Sequence, residues 1–219
     1  MEATGDLVAA FKPNNAFYEA EGAPGFETLK KTIAFIHKQF PQALVILDAK
    51  RADIGNTNLG YARSAFEDLD ADAITLNPYL GGEALQPFLN YKERGCFILC
   101  RTSNEGAKEF QDLLIDGEPL YLRVAKQVSQ KWNANKNCGL VVGATAPEEL
   151  KKVRQAVGNL PFLVPGVGVQ GGDLQTVLKN GRDKKDHGLL INLSRSVIFA
   201  SNGPDFATAA RKELLKLLA

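Results

Sequence analysis

Seven short stretches of this chain are apolar without alternation, at residues 7–11, 44–50, 73–77, 96–102, 139–144, 162–165 and 189–193. Runs of that length and composition predict strands covered on both faces. Between them, apolar residues return every third or fourth position, which predicts helices over 25–39, 58–69, 82–91, 119–133, 147–157, 173–179 and 204–218. A strict strand-helix order predicts a parallel sheet wrapped by helices. Polar groups follow nearly every strand instead of gathering at one switch point, and no GxGxxG follows an early strand. A TIM (β/α)8 barrel therefore fits better than an open doubly wound sheet. With no linker and no low-complexity tract, residues 1–219 are expected to form one domain.

The most unusual segment is Asp48-Ala-Lys-Arg-Ala-Asp-Ile-Gly-Asn-Thr57, directly behind the apolar run Leu44-Val-Ile-Leu47. Side chains alternate along a strand, which sends Asp48 and Lys50 to one face about 7 Å apart and leaves Asp53 in the following loop. A solvated surface pair is the ordinary explanation of such charges. Lys12, in Phe11-Lys-Pro-Asn14, repeats the pattern of a cation at a strand end. Together, Lys12, Asp48, Lys50 and Asp53 would form a network in which each charge has an opposite neighbour. Thr102-Ser103-Asn104 supplies small hydrogen-bonding groups at another strand end, suited to the polar edge of a ring, though such a triplet is commonly a turn.

Two late segments have the chemistry of an anion site. Pro165-Gly-Val-Gly-Val-Gln-Gly-Gly172 leads into a helix near Asp173, and its glycines let backbone N–H groups turn toward an anion at a helix amino terminus. Arg195 follows the run at 189–193 and is able to clamp the same anion in a bidentate way. Either piece alone is a common Gly-rich turn or a surface arginine; their placement after the last two strands points to phosphate.

The 219 residues carry a formal net charge of +1, so no bulk field attracts nucleic acid or an anionic membrane, and an anionic ligand must be held locally. Cys96, Cys100 and Cys138 show no CxxC spacing, and His37 and His187 have no metal-ligand spacing. Neither a disulfide nor a metal site is expected. No signal peptide opens the sequence and no apolar run reaches a membrane span, so a cytoplasmic, reducing location is expected.

The ordered set Phe11-Lys-Pro-Asn14, Asp48-Ala-Lys50, Asp53-Ile-Gly-Asn-Thr57, Asn77-Pro-Tyr79, Thr102-Ser-Asn104, Val142-Gly-Ala-Thr145, Pro165-Gly-Val-Gly168, Gln170-Gly-Gly172 and Ser194-Arg195 resembles orotidine 5′-phosphate decarboxylase, in its bacterial-type subgroup with the DAKRxDIGNT signature. The resemblance implies conversion of orotidine 5′-monophosphate to UMP in pyrimidine synthesis, without cofactor or metal. It implies that Lys50 protonates C6, that Asp48 lies beside the departing carboxylate, and that Lys12 and Asp53 complete the charged network. Ile54 and Thr57, with Asp53, are implied to enter the site of a second subunit, so a homodimer is expected. Ser103 is implied to contact the pyrimidine, and Pro165, Gln170, Gly171 and Arg195 to line the phosphate end. Residues 104–118 form the candidate closing loop.

A DxKxxD pattern alone is shared with related sugar-phosphate decarboxylases and aldolases, which stand as the nearest alternative. The family pattern also begins with a strand ending in an aspartate that contacts the ribose. Nothing before Leu7 matches it, so the expected fold is a barrel lacking its first β/α unit, with an inactive nucleotide-binding barrel as a further alternative. Such a fold would expose parallel sheet edges.

Overall fold

A computed structural model describes residues 1–168 and 171–218. The chain runs β1 (Ala10–Phe11), α1 (Asn15–Glu19), α2 (Gly22–Gln39), β2 (Leu44–Arg51), α3 (Gly55–Arg63), β3 (Ala73–Leu76), α4 (Gly81–Leu89) and β4 (Gly95–Arg101). It continues through α5 (Ala107–Phe110), β5 (Leu114–Ile115), β6 (Glu118–Pro119), α6 (Leu120–Gln127), β7 (Cys138–Val142), α7 (Pro147–Val157) and β8 (Phe162–Pro165). Last come α8 (Leu174–Gly181), β9 (Leu189–Asn192), α9 (Arg195–Ile198) and α10 (Phe206–Leu218). Seven strands form one parallel sheet in the order β1-β2-β3-β4-β7-β8-β9. Among the described residues β1 and β9 are its edges, and the curved sheet is the near-closed barrel expected from seven β/α repeats.

Helix ends follow local chemistry. Pro147 opens α7 with Glu148 and Glu149 in the first turn, and Gly158 closes it at a φ of 62°, so the expected bounds hold. Two expected helices change pitch instead of continuing regularly. Residues Ser64–Asp68 after α3 and Val128–Trp132 after α6 form π-helical turns. The short helix α1 escapes the periodicity reading; Asn14 caps it by accepting from the Ala16 N–H. The β5–β6 hairpin turns on Asp116 and Gly117, with φ of 54° and 79°, the left-handed pair that an Asp-Gly hairpin turn requires.

The sheet separates two apolar layers. Outside it, side chains such as Leu29, Ile33 and Ile36 of α2 meet Val45 and Leu47 of β2 in the larger core. Inside it, Ile46, Ala73, Phe97, Val141 and Leu163 fill the lower barrel, with Ala10, Leu99 and Leu190 beside them. Two positions further along several of the same strands, the interior turns polar at Lys12, Asp48, Thr75 and Asn192. The period of two thus places an apolar floor beneath a polar mouth.

At the opposite end, Arg154 joins the entries of the last two strands. It is 8% exposed, donates to the carbonyls of Gly181, Gly158, Leu160 and Gly188, and stacks on Phe162 with 3.7 Å from its guanidinium carbon to the ring centroid. Burial lowers its pKa to about 10, which still leaves it charged at neutral pH. Arg154→Met keeps the stem but strands these carbonyls, and equilibrium denaturation is expected to show a loss of about 3 kcal/mol.

Candidate active site

Lys12, Asp48 and Lys50 converge at the carboxyl ends of β1 and β2. Lys12 Nζ donates to Asp48 Oδ2 at 2.5 Å and Lys50 Nζ to Asp48 Oδ1 at 2.6 Å. Burial alone would raise the pKa of the Asp48 carboxyl, but the Lys12 and Lys50 ammonium groups outweigh it and hold the value below the ordinary carboxylate range. With its folded pKa below its unfolded one, Asp48 contributes stability at neutral pH that is lost as pH falls through that lowered value.

The regular strand expected at positions 48 and 50 is interrupted. Lys50 has a φ of 50°, in the left-handed region, and the β2–β3 register shifts between Leu47 and Arg51. A lysine in this conformation is uncommon and its backbone carries strain.

Asp53, Ile54 and Thr57 stand apart. None lines the cavity that holds the other charges, and Asp53 Oδ1 accepts from the Ile54 N–H at 2.7 Å. Asn58, fully buried, fixes the loop: its amide oxygen accepts from the Asp53 N–H at 2.8 Å and its amide nitrogen donates to the Asp53 and Ala84 carbonyls. Asp53 therefore sits on an ordered outer lip, with Ile54 63% exposed beside it.

Thr102, Ser103 and Asn104 form one wall. Arg101 turns the chain there through a bidentate pair with Asp112, at 2.8 and 3.2 Å, and a bond to the Thr102 carbonyl. Gln111 accepts from the Thr102 N–H at 2.8 Å and also lines the cavity. Ser103 approaches Gly143 so closely that a Cβ there would lie 2.8 Å from the Ser103 N and Cβ atoms. Gln111, Asn192 and the close approach at Gly143 are site features missed by reading strand ends alone.

The opposite wall contains Pro165 and Arg195, the latter exposed in the first turn of α9. Gly171 adopts a φ of 91°. The N–H groups of Gly168, Gly171 and Gly172 donate to the carbonyls of Gly172, Gly168 and Gly166, closing the loop on itself. That differs from the expected presentation of these N–H groups to an anion, and Asp173 caps α8 by accepting from Thr176. Gln170 lies outside the described residues.

The walls enclose a cavity of about 1390 Å³, larger than an ordinary small-molecule pocket because it runs down past Thr4 to Phe206 and Leu214 of α10. Among the described residues no group of three His, Cys, Asp or Glu side chains has a metal-holding arrangement. No described helix is long and apolar enough to cross a membrane. The three cysteines are buried and free, with burial pushing the Cys138 thiol up to about 12.

Comparison with known proteins matches residues 1–211 to the model of the orotidine 5′-phosphate decarboxylase / HUMPS family. A relative from Cellvibrio japonicus (strain Ueda107), named orotidine 5′-phosphate decarboxylase, is 54% identical over 217 residues, covering 99% of this chain and 79% of that protein. Another of the same name, from Herpetosiphon aurantiacus, is 55% identical over 213 residues, covering 97% and 77%. Among solved structures, Leishmania donovani OMP decarboxylase superposes with a TM-score of 0.88 at 40% identity, covering 99% of this chain and 83% of that one. Leishmania donovani UMP synthase gives a TM-score of 0.91 at 43% identity; this chain spans 48% of its length.

Proposed function

The chain belongs to the orotidine 5′-phosphate decarboxylase / HUMPS family, and from that premise we propose that it decarboxylates orotidine 5′-monophosphate to UMP and carbon dioxide, without metal or organic cofactor, as a cytoplasmic homodimer. The observation that carries this reading is the Asp48 carboxylate held between two ammonium groups at the polar mouth of the barrel. As the bond from C6 to the carboxylate breaks, its electron pair remains on C6, where the ring stabilises it poorly. The Lys50 ammonium offsets that charge and transfers a proton to C6, leaving UMP and a neutral amine. Asp48 lies beside the departing carboxylate, and Lys12 keeps Asp48 ionised and in place.

Ser103 is assigned to the pyrimidine edge, and Pro165, Gln170, Gly171 and Arg195 to the phosphate end. Phosphate binding energy then serves the transition state at a distance by closing residues 104–118 over the substrate. The exposed Phe110, Leu113 and Leu114 on this segment supply apolar surface for that closure. Arg195→Ala is expected to lower kcat/KM by roughly 10²-fold, with orotidine lacking phosphate losing little between wild type and variant.

Asp53, Ile54 and Thr57 are assigned to the neighbouring subunit's site. Their absence from their own cavity supports this, as does the exposure of the apolar Ile54 and Leu59, at the start of and within α3. A continuous absorbance assay on the full-length protein tests the activity. Loss of orotidine 5′-monophosphate that persists in chelator supports it, and tight UMP binding without turnover replaces it by the inactive-barrel reading.

A further inference from the structure

Thr75, on β3, joins three groups at the Lys50 corner through one hydroxyl: the Ala49 and Lys50 N–H groups and the Asp48 carboxylate. It is 1% exposed. Its Oγ1 accepts from the Ala49 N–H at 3.0 Å and from the Lys50 N–H at 2.9 Å. The same hydroxyl donates to Asp48 Oδ1 at 3.0 Å, the oxygen that also receives the Lys50 ammonium.

A hydroxyl has one proton and two lone pairs. Here two N–H donors take the lone pairs, so the proton has one direction left, toward Asp48. The donors cannot be met by ordinary β2–β3 pairing, because the register shifts in this stretch. A side chain on the neighbouring strand replaces the missing carbonyl partner, and Lys50 remains at its φ of 50°.

We propose that Thr75 is a positioning residue for decarboxylation: its hydroxyl holds the left-handed turn that aims Lys50 and fixes the Asp48 oxygen facing that ammonium. The proposal rests on the assignment of Lys50 as proton donor. Thr75 itself need not touch the reacting atoms. Its effect is expected on the chemical step and not on ligand affinity, since the phosphate and pyrimidine contacts lie on other strands.

The test compares Thr75→Val, which keeps the shape and removes the hydroxyl, with Thr75→Ser, which keeps the hydroxyl and removes a methyl. Steady-state kinetics and UMP binding are measured on the full-length protein, with Lys50→Ala alongside. The valine variant is expected to lose about 10- to 100-fold in kcat, the range of a hydrogen bond to a charged group. Its KM and UMP affinity should stay within about threefold, and serine should restore kcat to within about threefold of wild type. Should the valine protein not fold, Thr75→Cys replaces it, with a weaker bond and at least about a fivefold loss in kcat expected.

Three outcomes overturn the inference: an unchanged kcat in the hydroxyl-less variant, an equal loss in the serine variant, or a kcat loss matched by an equal loss of UMP affinity. If Lys50→Ala keeps its turnover, the assignment of Lys50 falls, and the Thr75 proposal with it. If Lys50→Ala is inactive while the valine variant is normal, only the role of Thr75 falls.

Discussion

Lys50→Ala is expected to lower kcat for orotidine 5′-monophosphate by roughly 10⁴-fold or more while UMP affinity changes by less than about fivefold. Two separate losses combine in that number. The variant lacks the proton that C6 must receive, a general-acid contribution of about 10²- to 10⁴-fold. It also lacks a fixed cation beside developing negative charge, a further term of about 10²- to 10³-fold. UMP carries no carboxylate at C6, and in the proposed pose its phosphate meets the far wall near Arg195, so binding is expected to survive. Isothermal titration with UMP next to the absorbance assay separates the two quantities. A variant that retains near-normal kcat removes Lys50 from the mechanism.

Mixing two inactive variants is expected to restore activity. If Asp53 serves the partner's site, a dimer made from Lys50→Ala and Asp53→Ala subunits contains one site with both defects and one with neither. Random reassortment of equal amounts makes half the dimers mixed, and one site in two is then intact, so about one quarter of wild-type activity should appear. The geometry motivates the pairing: Asp53 is half-buried on the outer lip and outside the cavity, while Lys50 faces its own cavity. Activity that stays at the level of either parent after subunit exchange would place both residues in the same site.

Legibility in the sequence divides along physical lines. Strands such as Phe162–Pro165 and helices such as Pro147–Val157 were readable because burial on both faces or terminal capping leaves a local mark. Their order implied the parallel barrel, and the order of the strand-end motifs implied the family. The charged network was half visible. Lys12, Asp48 and Lys50 stand out by their charge at strand ends, but the left-handed backbone of Lys50 does not, because a hydroxyl 25 positions later in the chain supports it.

Thr75, Gln111 and Asn192 were invisible for the same reason: each is an ordinary polar residue until the strands are set side by side. The π-helical turns left no periodic signature that differs from an α-helix over so few residues. By contrast, the Asp116-Gly117 turn carries a local mark, an Asp-Gly pair between short apolar and polar positions, within residues 104–118. The Gly-rich stretch shows a limit of composition: glycine permitted its tight path, yet the path directs several N–H groups inward.

The two ammonium groups on Asp48 differ in their access to water. The Lys12 side chain is 13% exposed and the Lys50 side chain 49% exposed. Each turnover in the proposed chemistry consumes one proton, leaving Lys50 as a neutral amine when carbon dioxide and UMP depart. In the proposed chemistry the open face of Lys50 gives solvent a route to return that proton between cycles, while the Lys12 side chain meets far less water. One aspartate thus joins the proposed acid, open to water, to a second ammonium screened from it, and the proposed resetting step draws on the unequal depth of two lysines.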